Sequence, residues 1–73
     1  MEWREAYQKM LEGNKIRRKG WVGYWYIRDG EVLIDFKNGI RRRYDELVTI
    51  NLRGSQDILY NLEQMTYDDW EVV

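Results

Sequence analysis

Residues Tyr24 to Ile34 read YWYIRDGEVLI, two apolar runs joined by Asp29-Gly30. Asp-Gly is a preferred dipeptide for two-residue type I′ hairpin turns, whose two central positions both need positive φ. A two-residue loop sets Arg28 opposite Glu31, Ile27 opposite Val32, Tyr26 opposite Leu33 and Trp25 opposite Ile34. Strand alternation then gathers Trp25, Ile27, Val32 and Ile34 on one side. Tyr24, Tyr26, Arg28, Glu31, Leu33 and Asp35 share the other, which is half aromatic and half charged. The first side calls for a helix to cover it.

That helix is predicted at about residues 2 to 12. Trp3, Ala6, Tyr7, Met10 and Leu11 recur at helical spacing, charged and polar residues fill the gaps, and Gly13 follows as a stop. Lys15 to Arg18 reads as a short edge strand whose cations discourage pairing with other chains. After the hairpin, a three-residue loop at Lys37-Asn38-Gly39 is preferred to a two-residue one, because it keeps arginines off the apolar face. It pairs Phe36 with Ile40, Asp35 with Arg41 and Val32 with Tyr44, giving a strand at about residues 40 to 45. LVTINL, Leu47 to Leu52, alternates and is rich in β-branched residues, so it reads as a further strand.

Ser55 is placed to cap a second helix with Ile58, Leu59, Leu62 and Met65 on one stripe, ending at Asp68 or Asp69. Trp70, Val72 and Val73 suit a closing strand. The fold class expected is α+β: an N-terminal helix packed on a mostly antiparallel sheet of hairpins, a second short helix, and a C-terminal strand.

Seventy-three residues, 44% of them apolar and none of them proline, suit a single domain over 1–73 with one core. A chain this short has a thin stability margin, and the absence of Cys and His removes disulfides and zinc as aids, so self-association is expected. Apolar runs are too short for a membrane span, and MEWREAYQKM lacks a signal-peptide layout, so a cytoplasmic location is expected. Charge is uneven: residues 1 to 45 hold eleven Lys and Arg against seven Asp and Glu, residues 46 to 73 one against six. A nucleic-acid binder usually has a basic excess over the whole domain, which the net charge of −1 does not supply.

With neither His nor Cys there is no triad and no thiolate nucleophile. Asp68, Asp69 and Glu71 are close in sequence, but neighbours on a strand point to opposite faces, so a solvated acidic turn explains them better than catalysis. Arg41, Arg42 and Arg43 likewise read first as a solvated strand face. No enzyme, metal or cofactor is expected. Binding is better supplied, because Trp or Tyr beside Lys or Arg can stack on a base while the cation meets phosphate. Trp3, Tyr7, Trp25 and Trp70 read as core. Trp21, in a loop bracketed by Gly20 and Gly23, divides between core and ligand.

The segment EAYQKMLEGNKIRRKGW, Glu5 to Trp21, resembles the opening signature of the phage Thoeris anti-defence family of the second type. Glu5, Ala6, Gly13, Lys15, Ile16, Arg18, Lys19, Gly20 and Trp21 fall at that family's spacing, as does Gly23. DDWEVV, Asp68 to Val73, is similar to its closing motif. The resemblance implies a small phage protein, related to some anti-CRISPR proteins, acting in the cytoplasm of the bacterial host as a homo-oligomer, dimer or tetramer. Its implied ligand is a cyclic nucleotide immune signal of the cyclic ADP-ribose kind, sequestered without turnover.

The expected ligand site is accordingly Arg18, Lys19, Trp21, Tyr24, Tyr26 and Asp69. Trp21 stacks on a base, Arg18 and Lys19 meet phosphate, and Tyr24 or Tyr26 lines a pocket completed by Asp69 or a neighbouring subunit. The alternative is an anti-CRISPR-type inhibitor that binds a bacterial effector protein directly through the Tyr24, Tyr26, Leu33 face or the acidic C-terminal half.

Overall fold

Asp29 and Gly30 take φ of 53° and 75° in the computed structural model, the positive pair that a type I′ turn requires. The structure describes residues 1–37, 47–55 and 57–73. In chain order the elements are α1 (Trp3–Leu11), β1 (Ile16–Arg18), β2 (Tyr24–Arg28), β3 (Glu31–Lys37), β4 (Leu47–Asn51), a 3₁₀ turn (Leu52–Gly54), α2 (Ile58–Gln64) and β5 (Trp70–Val72). The strands form one sheet in the order β4-β3-β2-β1-β5, antiparallel at each pairing. The α+β architecture read from the sequence is therefore the one observed, and the β2–β3 register matches pair for pair from Arg28 and Glu31 to Trp25 and Ile34.

Two strand assignments change. β1 is not an edge, because β5 pairs along its free side, with Arg18 opposite Trp70, Arg17 opposite Glu71 and Ile16 opposite Val72. The cations expected to repel a neighbour instead attract one: Arg17 Nε donates to Glu71 at 2.8 Å and Arg18 Nε to Asp69 at 2.7 Å. The strand expected at residues 40 to 45 lies outside the described residues. Among the described residues, β4 pairs with β3 along that edge, with Phe36 opposite Val48 and Asp35 opposite Thr49.

α1 lays Ala6 and Met10 over the sheet, where they join Ile16, Trp25, Ile34 and Trp70 as the buried core. Trp3 and Trp21 pack against it from the rim. The indoles of Trp3, Trp25 and Trp70 lie with ring centroids 5.1 to 5.7 Å apart in tilted or edge-to-face pairs, arrangements aromatic quadrupoles favour. Tyr7 departs from its expected core role: it sits against Trp3 at 5.9 Å but is 44% exposed.

α2 reverses its expected orientation. Ile58, Leu59 and Leu62 face outward at 61%, 82% and 53% exposure, while Asn61 and Gln64 are buried. Of the predicted stripe only Met65 packs on the core. Hydrogen bonds explain the reversal. Gln64 Oε1 accepts from Arg18 Nη1 at 2.6 Å, the Gln64 carbonyl accepts from buried Trp70 Nε1 at 3.1 Å, and Asn61 Nδ2 donates to Ser55 Oγ at 3.1 Å. The helix also stops at Gln64 rather than at Asp68 or Asp69, and Asp57 caps it in place of Ser55, its carboxylate accepting from the Tyr60 N–H at 3.2 Å. No helix among the described residues is long and apolar enough to cross a membrane.

Candidate functional site

The loop from Gly20 to Gly23 carries the site because it lies against the main chain of β3. Gly23 permits the contact: a Cβ there would fall 2.0 Å from the Asp35 carbonyl oxygen. At the other end a turn closes with the Trp21 N–H on the Arg18 carbonyl at 3.0 Å. The loop is thus fixed on both sides of Trp21, whose half-buried indole meets Trp25 at 5.9 Å and Trp70 at 5.3 Å.

Where this loop, the sheet and the start of α2 meet, a cavity of about 570 Å³ opens. Small-molecule sites span about 300–1,000 Å³. Trp25, Ile34, Phe36 and Ile50 of the sheet make its apolar floor, and Trp21 and Val22 flank it. Polar residues come from one direction, around the beginning of α2: buried Asn61 and half-buried Ser55, with exposed Asp57 and Tyr60. Ser55 Oγ ties this wall together by accepting from the Asp57 N–H at 3.3 Å as well as from Asn61.

The six residues expected to form a ligand site divide into four groups. Trp21 alone brings a ring to the cavity. Tyr24 also borders it, but the Tyr24 ring lies on the far face of the sheet, 5.8 Å from Tyr26, with the Lys15 ammonium 4.6 Å from its centroid. Its contribution to the cavity is main chain, as is that of Asp35, whose carboxylate accepts from Tyr26 and Thr49 on that far face. Tyr26 belongs to that face entirely, and burial, with the hydrogen bond to Asp35 next, raises its pKa above the usual phenol value.

Arg18 and Asp69 come together, but with each other. Arg18 donates from Nε and Nη2 to the two Asp69 oxygens at 2.7 and 2.9 Å and rests its guanidinium 3.7 Å from the Tyr67 ring centroid. The shared hydrogen bonds raise the pKa of Arg18 and lower that of Asp69. Lys19 is held by its backbone N–H on the Asp69 carbonyl at 2.9 Å and leaves its side chain exposed beside Gly20 on the cavity rim. The Arg18–Asp69–Gln64 assembly thus anchors the loop and the end of α2 to the sheet.

Asp57, Tyr60 and Asn61 were not anticipated as site residues. The signal was present, since Asp57 and Asn61 are one helical turn apart and share a face, but the apolar stripe beside them drew the inward side to the wrong face. Comparison with known protein families, curated proteins and solved structures finds no match for this chain.

Proposed function

We propose that this chain is a binding protein that captures a cyclic nucleotide signal of the cyclic ADP-ribose kind beside Trp21 and holds it without turnover. The observation that carries the reading is a half-buried indole on the wall of an aromatic-floored cavity of ligand size. Stacking on such a ring contributes about 1–3 kcal/mol per base. In this reading Lys19, exposed beside the rim, meets phosphate, and Arg18 acts by holding the loop in place. The biological setting comes from the resemblance at the two ends of the chain: an anti-defence protein of phage origin in the cytoplasm of its bacterial host. Its assembly as a homo-oligomer is supported by the aliphatic residues Ile58, Leu59 and Leu62, which α2 leaves exposed.

Thermal melting and tryptophan fluorescence against cyclic ADP-ribose isomers and other cyclic nucleotides test the proposal. A ligand at 100 times its Kd adds about 2.7 kcal/mol to stability. For a chain of this size that is a rise of roughly 10–20 °C in Tm. A panel that moves neither Tm nor emission rejects the reading, and a bound ligand recovered cleaved rejects the absence of turnover.

A second reading, direct binding of a bacterial effector protein, is favoured by the far face of the sheet. Tyr24, Tyr26 and Leu33 share it with Lys15, and no helix among the described residues packs over it. Capture of one defined effector that ignores added nucleotides, and is lost in Tyr26→Asp, would replace the first reading with the second.

A further inference from the structure

We infer that the polar wall of this cavity reads a ribose: Asp57 accepts hydrogen bonds from ligand hydroxyls, so the cavity takes the ribonucleoside end of its ligand and leaves phosphate outside. The inference rests on the nucleotide reading given above and deepens it. The lining is two-sided. From the sheet and the loop come rings and aliphatic groups, suited to the faces of a base. From the start of α2 come Ser55, Asp57, Tyr60 and Asn61, suited to its hydroxylated neighbour.

Among the described residues that line this space Asp57 has the one carboxylate free to meet it, because the Asp35 carboxylate is turned to the far face. One Asp57 oxygen is pinned by the Tyr60 N–H at 3.2 Å, which fixes the carboxylate against rotation; the other has no hydrogen-bond partner among the described residues. An ionised carboxylate only accepts, so its partner must be a donor. Phosphate offers none at neutral pH and is repelled by the charge. The vicinal hydroxyls of a ribose offer two adjacent donors, the same match by which an acidic side chain holds a ribose in dinucleotide-binding folds. Ligand phosphates are thereby directed outward to the rim, where Lys19 stands.

The test is a fluorescence titration of the parent chain and Asp57→Asn with adenosine and with 2′,3′-dideoxyadenosine. Asn caps helices about as well as Asp, so the variant keeps α2 while losing the charge. Hydrogen bonds to a charged group are strong enough that the parent should bind adenosine at least about tenfold tighter than the dideoxy analogue. In Asp57→Asn that ratio should shrink to within about threefold, dideoxyadenosine binding being unchanged. Equal affinity of the parent for the two nucleosides overturns the ribose assignment and leaves the nucleotide reading intact, and this comparison needs no variant to fold. Cyclic nucleotides that bind where adenosine does not would overturn it too, by showing that phosphate leads. An unchanged ratio in Asp57→Asn removes Asp57 from the role, and a parent that binds no nucleoside or nucleotide overturns both readings together.

Discussion

Replacing Gly23 by alanine adds one methyl group in the worst place the loop offers. Its carbon would lie 2.0 Å from the Asp35 carbonyl oxygen and 2.8 Å from the Phe36 Cα, so the chains must separate by about an ångström to restore ordinary contact. Neither obstructing atom belongs to a side chain that can swing away. Both are β3 main chain, with Asp35 paired to Tyr24 on one side and Thr49 on the other. Overpacking typically costs about 1–3 kcal/mol, and a backbone obstacle places this case at about 3. A chain of this length has about 4–11 kcal/mol of total stability. The expected fall in Tm is therefore roughly 12–24 °C. Gly54→Ala is the control, since a Cβ there meets nothing within 4 Å. That variant should melt within a few degrees of the parent, as surface changes stay within about 0.5 kcal/mol. Melting curves followed by circular dichroism decide the matter. A Gly23→Ala protein that melts beside its Gly54→Ala control would refute the close packing of the loop on β3, and with it the fixed position of Trp21.

The reversed seating of α2 predicts that Leu59→Lys, at a residue 82% exposed, leaves the urea stability of the monomer, measured at dilution, within about 0.5 kcal/mol, whereas Trp70→Ala costs about 3–5 kcal/mol. A large loss in Leu59→Lys would mean that the apolar stripe faces inward after all. The capping role of Asp57 predicts a loss of about 1 kcal/mol for Asp57→Ala and much less for Asp57→Asn, read from the same denaturation curves. For pH dependence, Arg18 lowers the Asp69 pKa, so the stabilisation from this pair is complete above about pH 4 and disappears as pH falls through the lower folded value. Tyr26 has the opposite sign: its raised pKa contributes stability below about pH 10 that is lost as pH rises through the folded value. Tyr26→Phe should flatten the alkaline limb and Asp69→Asn the acid limb; variants whose limbs match the parent would contradict the assignments.

What the sequence disclosed follows the range over which each feature is determined. The hairpin was legible because Asp29-Gly30 and its flanking alternation settle the register within eleven residues. The Gly20 to Gly23 loop was legible as a special place because two glycines so near a tryptophan have no use in a regular strand. β1 was misplaced because its neighbour in the sheet lies more than fifty residues away, and only folding brings Glu71 and Asp69 to the arginines that looked like deterrents. The site was half legible for the same reason. Trp21 announced itself locally, but Arg18 and Asp69 read as separate ligand contacts when their strongest partners are each other.

The outward seating of Ile58, Leu59 and Leu62 leaves the polar side of α2 to border the cavity. Buried in the ordinary way, Ile58, Leu59 and Leu62 would each gain about 1.5–3 kcal/mol, several kcal/mol together. The helix forgoes that burial, and what fastens it instead is directional: Arg18 on Gln64, Trp70 on the Gln64 carbonyl, Asn61 on Ser55. Such bonds contribute about 1 kcal/mol each, somewhat more where a charge takes part, so they replace only part of what burial would supply. A short chain with a thin margin gives up apolar packing where something else is gained, and departures from local rules concentrate at functional places. On the proposed reading, a ligand in the cavity adds contacts to the floor, and a second copy laid over the outer face of α2 adds them to the helix. On the proposed reading, stability should accordingly respond to ligand more steeply than ring stacking alone accounts for, with the Arg18–Asp69 pair fixing the loop that carries Trp21.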